Sequence, residues 1–160
     1  MKGARYNLCG IAALFGLSAL TGSLSACVES PGQRELVLFD DFDGFVTRVQ
    51  PILDRSCANP SCHGNVERPL EIFSVHQHRI QADEIFMDTP LSERELWRNF
   101  ERVCSFLVDF DDPAECALLE KPLAIEAGGG AHVGGTQFFD ESNQDYQELL
   151  SWITEGLGYE

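Results

Sequence analysis

Cys57, Cys62 and His63 lie within one heptapeptide, Cys57-Ala58-Asn59-Pro60-Ser61-Cys62-His63, directly after an amphipathic stretch. Two thiols and an imidazole this close along a chain must share one loop, so any fold around them has to present that loop. Three chemistries suit the trio. Covalent haem attachment needs two thiols to add to the two vinyl groups and a histidine after the second thiol to bind iron, and the chain supplies these groups in that order. The usual motif separates its cysteines by two residues, whereas four separate Cys57 from Cys62. The longer loop must bulge, and Pro60, with its fixed φ, suits the bulge. A plain Cys57–Cys62 disulfide is the second reading and would leave His63 an ordinary surface residue. A zinc site is the third, but it would crowd Cys62 and His63 onto one ion, and no second Cys-x-x-Cys or His-x-x-x-His half follows.

The compartment bears on all three readings. Lys2 and Arg5 precede a short apolar run from Leu8 to Leu20, rich in Ala, Gly and Leu, which is the layout of a secretory leader. The run is shorter than the roughly 20 apolar residues of a membrane-spanning helix. It ends in Leu24-Ser25-Ala26-Cys27, which resembles the bacterial lipobox. The resemblance implies cleavage before Cys27 and acylation of its thiol; the competing reading is an ordinary cleaved signal with a chance cysteine. Residues 1–26 are then a lipoprotein signal peptide, 27–38 the lipidated cysteine and a polar tether, and 39–160 one folded domain. Val28 stands where an aspartate signals inner-membrane retention in some bacteria, so the expected place is the cell envelope, lipid-anchored, with the outer membrane favoured, facing the periplasm or the exterior. Of the six cysteines, Cys9 leaves with the leader and Cys27 takes the lipid, so four remain in an oxidising compartment. Cys104 and Cys116 enclose a short loop and are expected to pair, a disulfide worth about 3 kcal/mol from loop closure; free buried thiols are the alternative.

The pattern along the chain is helical. Phe42, Phe45, Val46, Val49 and Leu53 recur at helical spacing, with Asp40, Asp41 and Asp43 at the start, where the helix dipole favours acids. A helix over about 41–50 follows, and Pro51 predicts a kink or an end there. Ser92 and Glu95 form a capping box for a helix reaching toward Leu107, with Leu96, Phe100, Val103 and Leu107 as its apolar stripe. Shorter helical pieces are expected near 80–86 and 114–120, and residues 128–135 form a glycine-rich loop. A last helix starts near Ser142, carries Tyr146, Leu149, Leu150 and Ile153 on one face, and stops at Gly156. No sustained strand alternation interrupts this, so the fold is expected to be mostly α.

Val49 to Leu53, Cys57 to Gly64, Leu118 to Leu123, His132 to Gly135, and Tyr146 to Gly156 with Trp152-Ile153 inside it follow one another in an order that resembles the Planctomycete cytochrome C family and related class I-like cytochrome domains of exported lipoproteins. The resemblance spans roughly residues 45–156. It implies a small, loop-rich class I cytochrome c-like domain whose N- and C-terminal helices pack together beside a haem pocket, with Phe45, Tyr146 and Trp152 in that contact or in the haem wall. Cys57 and Cys62 would carry one covalent haem c and His63 would be the proximal iron ligand. For the other axial position His132, between runs of glycine, is the first candidate and Met87 the second; an open position is the third outcome.

The function expected is electron transfer by an envelope-anchored monohaem c-type cytochrome. The alternative is a haem-free lipoprotein of the same scaffold, stapled by two disulfides and serving as a binding or adaptor module. The formal net charge of −15 argues against nucleic acid, whose binding rests on Lys and Arg, and favours a redox partner with a basic docking surface. No nucleophile, acid–base pair or substrate motif suggests a hydrolase; enzyme activity would be confined to peroxide or gas chemistry at an open iron position. The glycine-rich loop lacks the Lys-Ser/Thr pair of a phosphate cradle.

Overall fold

The computed structural model describes residues 39–108 and 111–158; the stretches expected to be leader and tether, with Cys27, lie outside the described residues. What is described is mostly helical, and its β pairing is limited to two isolated bridges, Ser74 with His78 and Leu123 with Phe138.

The first helix, α1, has three consecutive parts: α over Phe42–Gly44, π over Phe45–Val49 and α over Gln50–Ser56. The Asp41 carboxylate caps it by accepting from the Gly44 N–H at 3.0 Å. Pro51 does not end or break the helix as the sequence predicts, and the wider π turn is the reason. Gln50 N–H donates to the carbonyl of Phe45, five residues back, and Pro51 then falls in the first turn of the next α segment, where a missing N–H leaves no bond unmade.

The second helix, α2 (Glu93–Cys104), starts at the Ser92–Glu95 capping box read from the sequence. Its buried face is less apolar than the stripe suggests. Phe100, Val103 and Leu107 are buried, but Leu96 is only half-buried, whereas Glu95 and Asn99 are fully buried. Both polar side chains are satisfied. Asn99 donates to Gln50 Oε1 and the Phe73 carbonyl and accepts from the Phe73 N–H, each at 2.8 Å, which ties α1, residue 73 and α2 together. Glu95 meets Arg79 through two charge-assisted bonds of 3.0 Å, and Arg79 also donates to the carbonyls of Thr89 and Pro90.

A short helix, α3 (Ala117–Glu120), and the last helix, α4 (Gln144–Leu157), complete the set. The N-cap of α4 is Asn143, not Ser142: its side chain accepts from the N–H groups of Asp145 and Tyr146. The helix also runs through Gly156, against which the Phe39 ring lies, and stops at Gly158 with φ +69. Helices α1 and α4 pack on each other through the π segment. Phe45 and Val49 on one side and Leu149, Trp152 and Ile153 on the other are at most 2 % exposed. Burying one such side chain contributes roughly 1.5–3 kcal/mol, whereas the Arg48 pairs to Glu148 and Glu155 and the Arg55 pair to Asp145 sit at the partly exposed margin and are worth less than about 1 kcal/mol each. The apolar stripes, not the ion pairs, hold the two helices together.

Candidate functional site

The loop after α1 is held by its own backbone. The N–H groups of Cys57 and Ala58 both donate to the Leu53 carbonyl at 2.9 Å, extending the helix end, and His63 N–H donates to the Cys57 carbonyl at 3.0 Å, closing the loop on itself. Asn59 organises the interior. Its carbonyl accepts from Cys62 N–H at 2.7 Å and Gly64 N–H at 3.0 Å, and its side chain accepts from Ser61 N–H and hydroxyl. Pro60 sits in the turn, but the bonds that set the bulge converge on Asn59, which the sequence did not single out. Gly64 has a steric reason to be glycine: a Cβ there would lie 2.0 Å from the Ala58 carbonyl oxygen.

This loop forms one wall of a cavity of about 240 Å³, open to solvent at its mouth. Cys57, Cys62 and His63 line it together with Leu70, Phe106 and Leu118, and His132 lines it from the far end of the chain. His132 arrives there because residues 120–138 fold back as one unit. Gly129 N–H donates to the Ala124 carbonyl, Gly130 N–H to the Glu120 carbonyl, and Gln137 and Phe138 N–H groups to the Pro122 carbonyl, all between 2.8 and 3.0 Å. The glycines serve a backbone contact: a Cβ on Gly129 would lie 2.0 Å from the Leu123 carbonyl oxygen.

The two imidazoles are prepared alike. His63 Nδ1 is bonded to the Leu70 carbonyl at 2.8 Å and His132 Nδ1 to the Gly135 carbonyl at 2.9 Å. A carbonyl accepts only from an N–H, so each bond puts the proton on Nδ1 and leaves the Nε2 lone pair available. Neither Nε2 has a hydrogen-bond partner among the described residues. The ring centroids are 5.8 Å apart and the planes 13° from parallel. Burial pushes the His63 pKa down, and the neighbouring His132 and Arg68 act in the same direction against the Leu70 bond, so His63 is a neutral donor at neutral pH. Burial likewise pushes the Cys57 thiol up, to about 12, which keeps it protonated and unreactive unless something else engages it.

The other expected candidates lie elsewhere. Met87 follows the 3-10 turn Ala82–Phe86, is 47 % exposed and does not line the cavity. Phe45, Tyr146 and Trp152 are core residues and do not line this cavity, whose phenyl wall is Phe106. The two remaining histidines, which are not candidates, have local partners: His78 is bonded to Glu71 and stacked on Phe73, and His76 is paired with Asp88. Among the described residues no three His, Cys, Asp or Glu side chains gather as a metal cage. Cys57, Cys62, Cys104 and Cys116 are all unbonded thiols in the structure, so the Cys104–Cys116 pairing stays a proposal. The cavity walls and the two carbonyls that orient the imidazoles carry no signature in the sequence, because each comes from a different segment. Among the described residues no helix is long and apolar enough to cross a membrane. No family model matches the chain, and no curated protein or solved structure matches it.

Proposed function

We propose that this chain is an envelope-anchored monohaem c-type cytochrome that transfers electrons, built as a class I-like helical domain with its lipid on Cys27. The observation that carries the reading is the meeting of Cys57, Cys62, His63 and His132, drawn from two distant segments, in one apolar cavity. The donor set fits haem c: two thiols in one loop for attachment, and two imidazoles with Nδ1 engaged and Nε2 unengaged for the iron, as metal-binding histidines usually are. The haem would supply a reversible one-electron couple.

The chain's residues set the conditions for that couple. Leu70 and Gly135, through their carbonyls, fix the imidazole tautomers, and His63 with His132 favours a lower potential than a histidine–methionine pair would. Leu70, Phe106 and Leu118 make the cavity walls apolar. Pockets that enclose a whole ligand run to about 300–1,000 Å³; this cavity is smaller and open at its mouth, so a haem held by Cys57, Cys62 and His63 would be only partly enclosed and within reach of a redox partner. The acidic surface favours a basic partner.

The test is a denaturing haem stain with intact mass on protein from its native membranes. One haem mass that survives denaturation is expected. His63→Ala should lose the normal iron spectrum, His132→Ala should turn it high-spin and let the reduced form bind carbon monoxide, and Met87→Ala should change neither. No haem mass, with Cys57 linked to Cys62, would instead make this a disulfide-stapled binding lipoprotein.

A further inference from the structure

Helix α3 gives Ala117 and Leu118 to the cavity described above and Glu120 to a second one. This second cavity, about 500 Å³, is lined by Glu115, Glu120 and Glu141, by Tyr146, and by apolar side chains that include Ala114 and Leu123. None of the three carboxylates takes part in an ion pair among the described residues. Carboxylates alone make no site, since an acidic cluster is commonly just solvated. Tyr146 is different. It is 1 % exposed, and its hydroxyl has no hydrogen-bond partner among the described residues. Yet no side-chain oxygen or nitrogen sealed from solvent is left without a partner, so this hydroxyl faces open space, and the space that Tyr146 lines is the cavity. A buried tyrosine normally finds a partner for its hydroxyl; here the partner has to come from outside the wall.

The occupant should be cationic, and a bare metal ion suits it poorly. Calcium takes six to eight oxygens at about 2.3–2.6 Å, whereas no three of these acidic groups gather closely enough to share an ion among the described residues. Carboxylates spread around a roomy cavity suit a cation that divides its charge over several N–H donors; a guanidinium presents five in a plane. Apolar walls beside an acidic rim match the alkyl stem that such a group carries.

We propose that this cavity binds one organic cation, a guanidinium or primary ammonium on an alkyl stem, its N–H donors shared by Glu115, Glu120, Glu141 and the Tyr146 hydroxyl. The site stands whether or not the first cavity carries haem. Two sources share this chemistry, a free small cation and a basic side chain of a protein partner.

The experiment is a calorimetric titration of the full chain in uncharged detergent with butylguanidinium, and separately with an end-blocked Gly-Arg-Gly peptide. Saturable one-to-one binding is expected. Glu120→Gln/Glu141→Gln should weaken it at least about ten-fold, and Tyr146→Phe, which keeps the ring, about three- to ten-fold. Glu101→Gln, which removes a charge from the exposed face of α2, should change nothing, and thermal melts check that each variant folds. Tighter binding of the peptide assigns the site to a partner's side chain, and tighter binding of butylguanidinium assigns it to a free cation; either supports the proposal. Absence of saturation with both probes, an equal loss in Glu101→Gln, or one-to-one displacement by calcium overturns it.

Discussion

Residues 57–72 and 79–95 are both irregular stretches pinned against α1 and α2, but they are pinned in opposite ways. In the first, most bonds run backbone to backbone: Leu53, Cys57 and Asn59 offer the carbonyls, the Cys57 thiol and the Nε2 edge of His63 are left with nothing to hold among the described residues, and the Cys62 thiol meets only the neighbouring Ser61 hydroxyl at 3.7 Å. In the second, side chains hold the backbone. Arg79 and Glu95, each 1 % exposed at the side chain, bind each other and then the backbone of Ile80, Thr89, Pro90 and Ser92. A loop closed by its backbone keeps its side chains for a ligand. A loop closed by its side chains has used them. The chemistry therefore gathers in the first stretch, although the second contains the stronger charges.

The comparison breaks most sharply at Glu95. Glu95→Ala leaves the buried Arg79 guanidinium with Glu84, a third exposed, as its one carboxylate partner among the described residues and should cost about 3 kcal/mol, the low end for a broken buried pair, read as a drop in the urea midpoint at neutral pH, with the cavity residues undisturbed. A loss under about 1 kcal/mol would mean that the knot does not hold residues 79–95 in place. The pH dependence sharpens this. Burial pushes the Glu95 carboxyl up, but the bonds from Arg79, Ile80 and Ser92 outweigh it and hold it at about 2, below its usual 4.5. A carboxyl lowered on folding contributes stability that is complete above the unfolded value and is lost as the pH falls through the folded one. The wild-type urea midpoint should therefore fall between about pH 5 and pH 2 more steeply than that of Glu95→Gln; parallel profiles would contradict the assignment.

Gly64→Ala tests the other stretch. A methyl group 2.0 Å from the Ala58 carbonyl forces the backbone to move, at a cost of about 1–3 kcal/mol. Because the same backbone spaces the two thiols, the proposed haem attachment predicts a covalent haem yield that falls by more than in Glu95→Ala at matched stability. Equal yields would mean that loop closure does not set the thiol spacing. Smallest of all is Arg48→Ala, at the exposed margin between α1 and α4, where a change below about 1 kcal/mol in thermal unfolding is expected.

Periodicity in the sequence located α2 and α4 well, because each has a strong apolar stripe and a capping residue within a few positions of the right place. It misread Pro51, since a π turn is set by how Phe45 and Val49 pack on α4 and leaves no local sign. It overlooked Glu95 and Asn99 as buried groups. A polar residue on a helix reads as exposed unless its partner is known, and Arg79, Gln50 and Phe73 are far from them in the chain. At the site, Cys57, Cys62, His63 and His132 were legible as residue types and spacing, whereas Asn59, Leu70 and Gly135 act through backbone carbonyls or a local side-chain turn that composition does not mark.

By itself the sequence determined the helical class, the heptapeptide with its two thiols and imidazole, and the acidic charge, because periodicity, covalent spacing and net charge are properties of neighbours along a chain or of the chain as a whole. Only the tertiary structure placed His132 beside His63 and kept Met87 away from the cavity. That placement depends on which of two distant loops folds back over the same cavity, and the folding back is done by carbonyls at Glu120, Pro122 and Ala124 that receive the glycine-rich segment. The same is true of the second cavity, where Glu115 and Glu120 meet Glu141 and Tyr146 from two separate segments; long-range backbone pairing brings together what the order of residues keeps apart.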